Sequence, residues 1–292
     1  MFSDLRAFWA DAGPLGRAGY RIGVALVASG LFHLGVFAVD GGPWEGPVSW
    51  RKAVTFGLSF GVTLITIVWV SSFVPLRPRE RRWLLGAFTT ACVMETALVT
   101  MQVWRGVPSH FDQETTFDTI VSRALAAGGG VLIVTIAAMT VASFRANPSV
   151  APSLRLAVRA GFVALDVALL LGAVMIARGV TEVVAGHQQR AYLVGGFLKP
   201  GHAATMHGIL ILPALAWLAS FTGWTERRRQ RVVGFATAGY ALFAAAVVAQ
   251  SFVGEPLVAF GFAGLGAITL LAAGVITLTA LTRRSPGTVR PA

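Results

Sequence analysis

Five histidines, His33, His110, His187, His202 and His207, fall on one half of a membrane once the apolar stretches of the chain are drawn as spans. Imidazole is the commonest metal ligand and the side chain that titrates nearest neutral pH. Around the histidines lie Glu95, Gln102, Arg105, Arg123, Asp166 and Gln250. Gln102 is seven residues beyond Glu95, so the two share a helical face, and Arg105 extends that face outward. An ion at a helix centre costs about 2.5–3.5 kcal/mol on insertion scales, so intramembrane ionisable residues mark functional candidates. Glu95 and Asp166 must therefore find partners or be carried uncharged.

The elements that position these residues follow from composition. The chain is 55% hydrophobic and 13% charged, with mean hydropathy +0.70, which excludes a soluble globular protein. Stretches near 20–39, 53–74, 83–104, 119–144, 156–177, 203–223, 232–252 and 256–282 are long enough to cross a hydrocarbon core. Each is expected to be a helix, because backbone polar groups in lipid must be satisfied within the segment. The expected fold is all-α, a polytopic bundle of eight transmembrane helices forming one membrane domain over 1–292. Residues 1–18 read as a short interfacial segment and 283–292 as a cytoplasmic tail. A cleavable signal peptide is not expected, because the first apolar run ends without a small-x-small site.

Eight spans put both termini on one side, which also collects 17 of the 24 basic residues, Arg145, Arg155, Arg159 and Arg227–Arg229 among them. The positive-inside rule makes that side cytoplasmic and the protein one of the cytoplasmic membrane. The net charge of +11 is then topological and does not argue for nucleic acid. Only Arg51, Lys52, Arg105, Arg123, Arg178, Arg190 and Lys199 lie opposite. Aligning Gly86 with Gly234 also aligns Gln102 with Gln250, as a parallel duplication of a four-helix unit would. Gly57 with Gly61, and the run Gly128-Gly129-Gly130, read as close helix packing.

His202 and His207 are five residues apart, about 140° around a regular helix, so they do not share a face. Pro200-Gly201 is expected to break the chain and let His202 turn inward. Local readings compete with a site elsewhere. His33 can be hydrogen-bonded to a neighbouring helix, and Ser109 with Asp112 has capping-box spacing. His187 reads as a solvated loop residue, Arg51 and Lys52 as snorkelling cations, and Glu95 with Arg105 or Arg123 as an ion pair. Met94 and Met101 read as core.

Three blocks, GGPWEGPVSWRKAVTFGLSFG (41–61), ETALVTMQVWRGVPSHFD (95–112) and GHAATMHGILILP (201–213), resemble an uncharacterised family of multi-pass bacterial membrane proteins. The resemblance implies a shared membrane fold and a shared motif set on the outer face, without a reaction. Ala53 and Asp112 depart from the Pro and Asn common in that family.

Two functions fit the pattern. In the first, the protein is a metal- or haem-binding redox protein whose site opens to the extracytoplasmic side. His33, His202 and His207 are then the metal ligands, and His110 joins them in holding haem, copper or iron. Glu95, Gln102, Arg105 and Arg123 would be the catalytic and relay groups, with the bilayer and an electron donor as partners. The alternative is a proton-coupled small-solute transporter or channel, with Glu95, Asp166 and His33 as the relay.

Overall fold

The computed structural model describes residues 2–253 and 256–282, and among these there are helices and no strands. Helix α1 (Phe2–Asp11) precedes α2 (Gly13–Asp40), α3 (Trp50–Val70), α4 (Pro78–Trp104), α5 (Thr116–Ser143) and α6 (Pro152–Val184). A short turn α7 (Gln188–Ala191) leads to α8 (Lys199–Met206), α9 (Gly208–Ser220), α10 (Glu226–Val253) and α11 (Pro256–Thr282). Among the described residues, eight spans are long and apolar enough to cross a membrane, with α7, α8 and α9 together forming the sixth. The protein is an all-α polytopic membrane bundle. Arg283, Arg284, Arg290 and the expected tail lie outside the described residues.

Small residues let α2 and α3 pack closely. A side chain at Gly57 would meet the backbone nitrogen of Gly30 at 2.6 Å, and one at Gly61 the carbonyl oxygen of Gly23 at 2.6 Å. Backbone therefore packs on backbone between α2 and α3, as the small-xxx-small spacing predicts. The main apolar core joins α3, α4, α5, α6 and α9 through Leu64, Ile67, Leu85, Phe88, Ile136, Phe162 and Ile209. In each half of the chain the first span packs on the second and third, and the third on the fourth. A duplicated unit gives this pattern, and so do sequential antiparallel helices.

Contacts at the Arg-rich end tie the loops together. Arg145 grips Glu80 through two nitrogens at 2.7 and 3.1 Å, and Asn147 donates to the Phe73 carbonyl at 2.9 Å. The Ser153 amide donates to Glu226 at 2.7 Å. Phe8 of α1 packs edge-on against Trp69 and Phe73, which fixes α1 at this same end.

One expected boundary moves, and one expected break is joined by a second. The interfacial segment stops at Asp11, because Gly13 takes φ +66° and Pro14 opens α2 there. The sixth span is interrupted just before Pro200-Gly201, through 192–198, so that α8 starts at Lys199 with His202 in its first turn, and a second time at His207. Pro200 sits in the first turn of α8, where its missing N–H costs nothing. Pro213 lies inside α9 and, with Gly208, disfavours a continuous helix just upstream. Tyr240 of α10 donates its hydroxyl to the Ala204 carbonyl beside this second break.

Candidate functional site

Two polar clusters stand at the Arg-poor end, both touching the loop between α4 and α5. The first joins the end of α4 to the start of α5. Gln102 is fully buried and donates to Asp118 at 2.9 Å, and Arg105 pairs with the same carboxylate oxygen at 2.5 Å. Arg105 also donates to the Gln102 side-chain oxygen. Thr115 caps α5, accepting from the Asp118 amide at 3.1 Å while its hydroxyl donates to the second Asp118 oxygen at 2.5 Å. The Arg105 guanidinium lies 4.7 Å from the Phe117 ring centre. Gln102, Arg105 and Thr115 each donate to a partner within the cluster.

Asp118 is the residue sequence reasoning missed. Its signal is Thr115-x-x-Asp118, a capping pair six residues after the Ser109–Asp112 pair. No helix starts at Ser109. Its hydroxyl instead meets His110 Nδ1 at 2.9 Å, and Asp112 accepts from the Glu114 amide in a local turn. With Arg105 spent on Asp118, the expected ion pair to Glu95 does not form, and Arg123 is exposed.

The second cluster spans α3, the loop and α8. Lys52 donates to the Pro47 carbonyl at 2.6 Å and lies 3.5 Å from the Ser109 hydroxyl. It does not snorkel away. Arg51 does face outward, bonded to Glu45 at 3.1 Å. Lys52, Phe56 and Ser59 share one face of α3, and Lys199, His202 and Met206 one face of α8. The faces meet where Ser59 donates to the Met206 sulfur at 3.6 Å, and Lys199 lies within electrostatic reach of Lys52. His110 packs on Phe56 with ring centres 6.1 Å apart. Burial, with the Lys52 ammonium beside it, pushes the His110 imidazole down to about 4, so the ring is neutral at pH 7.

The sequence carried an unread signal for this cluster. The chain has 22 arginines and only two lysines, Lys52 and Lys199. The fold sets those two within electrostatic reach of each other. Each sits in the first turn of its helix, and neither forms an ion pair among the described residues. Ser49, the residue preceding α3, is buried and its hydroxyl has no partner.

The loop between α4 and α5 is pinned over this cluster. Phe111 adopts φ +66°, and its ring occupies the space a side chain at Gly179 of α6 would need. Gln188 donates to the Phe111 carbonyl.

The remaining histidines do not converge. His33 is buried, with Nδ1 on the Ser29 carbonyl at 2.7 Å and Nε2 accepting from Trp104 at 3.0 Å. Both ring nitrogens are therefore occupied. His202 turns inward as expected, bonding the Ala168 carbonyl of α6 at 2.7 Å. His207 is exposed and bonds Ala203 at 2.6 Å, while His187 is exposed beside Glu182. Among the described residues no three His, Cys, Asp or Glu side chains group as a metal site. As arranged, His33, His202 and His207 do not fit a shared metal ion.

Glu95 stands apart, 4% exposed in α4 and about 15 Å below Arg105 at 1.5 Å per residue. Its Oε1 has no hydrogen-bond partner. A side chain at Gly128 would collide with that oxygen, so Gly128 makes room for a carboxyl rather than for a helix. Gly129 and Gly130 meet nothing within 4 Å. Asp166 accepts from Thr140 at 2.6 Å, nearer the Arg-rich end. Met94 packs against the same Gly128 position and Met101 against the Val99 cluster, both as core. Gln250 is half-buried on α10.

No protein-family model, curated protein or solved structure matches the chain.

Proposed function

We propose that this integral membrane protein binds a small anion at its Arg-poor end and carries it across the membrane with a proton. The observation behind the reading is that the two lysines, each in the first turn of a helix, lie within electrostatic reach of each other and that neither forms an ion pair among the described residues. A helix N-terminus bears partial positive charge and ordinarily recruits acids. Lys52 and Lys199 add to that charge instead of cancelling it. An anion between them would accept charge-assisted hydrogen bonds from Lys52 and relieve the repulsion. Phe56 and Met206 supply an apolar side, which favours a short-chain carboxylate over a bare inorganic ion.

Proton coupling rests on His110. Lys52 is one of the two causes that keep its ring neutral. An anion that offsets the Lys52 charge makes protonation of His110 easier, and protonated His110 strengthens anion binding by the same factor. Glu95, orphaned deeper in the bundle, and Asp166 nearer the Arg-rich end are the carboxyls placed to continue a relay.

The test is reconstitution into liposomes holding a pH-sensitive dye, with binding followed through the fluorescence of Trp50 and Trp104. Short-chain carboxylates should quench saturably, and an inward carboxylate gradient should acidify the lumen. Lys52→Gln should weaken binding at least tenfold, the loss of a hydrogen bond to a charged group of about 1.5–3 kcal/mol. Saturable carboxylate flux without acidification would remove the proton from the proposal. No response to any anion would remove the whole of it.

A further inference from the structure

At the opposite end, a cavity of about 420 Å³ opens between the starts of α4 and the end of α5. Its floor is apolar. Leu84 of α4 faces Ala138 and Ala142 of α5, which are four residues apart and therefore on one face of that helix. Two alanines where larger side chains would close the seam leave a slot between the helices. Trp83, 63% exposed, stands at its rim, as aromatic residues do at the headgroup level.

The charge at the mouth is not balanced. Glu80 lines it, but both of its oxygens are held by Arg145, at 2.7 and 3.1 Å, and one also accepts from the Arg77 amide at 2.9 Å. That pair is closed. Arg77 and Arg79 line the same mouth, both are exposed, and neither guanidinium forms an ion pair among the described residues. An apolar slot thus runs down from two unspent guanidinium groups at the membrane boundary.

We infer that this cleft holds one anionic phospholipid of the adjoining leaflet, its phosphate on Arg77 and Arg79 and an acyl chain along Ala138 and Ala142. Basic pockets between transmembrane helices select anionic headgroups, and a guanidinium matches a phosphate through two donors. The slot distinguishes a lipid from a free phosphate, because only a lipid has a chain to fill it. The site is independent of the anion cluster at the other end.

Native mass spectrometry of the full chain, released from mixed phosphatidylglycerol and phosphatidylethanolamine nanodiscs, tests the inference. The wild type should retain one phosphatidylglycerol in preference. The double variant Arg77→Gln with Arg79→Gln should lose that preference about thirtyfold, taking about 1 kcal/mol per arginine near an anionic surface. Ala138→Leu, which fills the slot and keeps both arginines, should release the lipid as well. Each variant is accepted as folded if its melting temperature in detergent stays within a few degrees of wild type. Equal retention of the two lipids, or retention unaffected by either variant, overturns the site. Displacement of the lipid by glycerol phosphate at equal concentration would show a headgroup site without a chain, and would overturn the lipid assignment.

Discussion

The Gln102–Arg105–Asp118 cluster and the Lys52–Ser109–His110–Lys199 cluster flank one loop, yet they are built on opposite electrostatic plans. In the first, Arg105 ends α4 and Asp118 begins α5, so each charge sits at the helix end that favours it. The two charges then neutralise each other, with Gln102 and Thr115 filling the remaining hydrogen bonds. In the second, both cations sit at the disfavoured end of their helices and neither forms an ion pair among the described residues. A closed cluster explains itself through folding. An open one costs stability in the free protein, and that cost makes sense when something else completes the cluster.

The strongest way to break this contrast is to open the closed cluster. Asp118→Asn leaves Arg105 and Gln102 facing a neutral amide and removes a buried partner of three hydrogen bonds. We expect the largest fall in melting temperature of any single change discussed here, because an ion is stranded when its partner is lost. Carboxylate affinity of the protein that remains folded should change little. A variant with wild-type stability and lost binding would invert the roles of the two clusters.

The next effect runs the other way. Lys52→Arg keeps the charge but replaces a compact ammonium, held by Pro47 and beside Ser109, with a planar fork on a longer stem. Binding should fall severalfold, while the melting temperature stays within about 0.5 kcal/mol of wild type in stability terms. Titration of tryptophan quenching beside a melting curve gives both numbers. If arginine serves as well as lysine, the chain's two lysines owe their identity to something other than the anion.

Much of the fold was legible because each span satisfies its own backbone and shows itself as a long apolar run. The α2–α3 seam was legible too, since glycine spacing on one helix predicts close approach whatever the partner. Partnership of side chains was not. Whether Arg105 meets Glu95 or Asp118 depends on how α4 and α5 are rotated and on where α5 begins, and Asp118 looked like an ordinary first-turn acid. Gly128 reads in the sequence as a packing residue, because sequence does not reveal that a carboxyl fills its space. The histidines drew attention by their one-sidedness, but His33 proves to be spent on Ser29 and Trp104. The rarer signal was the pair of lysines among 22 arginines. Composition alone showed it, and only the contact between α3 and α8 gives it meaning.

The smallest effect is a shift in the edge of a pH slope, and it tests whether Lys52 and His110 belong to one site. His110 has its folded pKa lowered to about 4, below its value of about 6.5 in an unfolded chain. Between those values the unfolded state binds the extra proton, so stability should rise with pH from about 4 to about 6.5 and be level above that window. His110→Asn should flatten this rise. Lys52→Gln should shift its lower edge upward, because one cause of the depression is gone while burial remains. A saturating carboxylate should move the edge the same way in the wild type and leave it still in Lys52→Gln. Melting temperatures across pH, with and without carboxylate, give these curves. If carboxylate moves the edge equally with and without Lys52, the anion reaches His110 by another route and the open cluster is not the binding site.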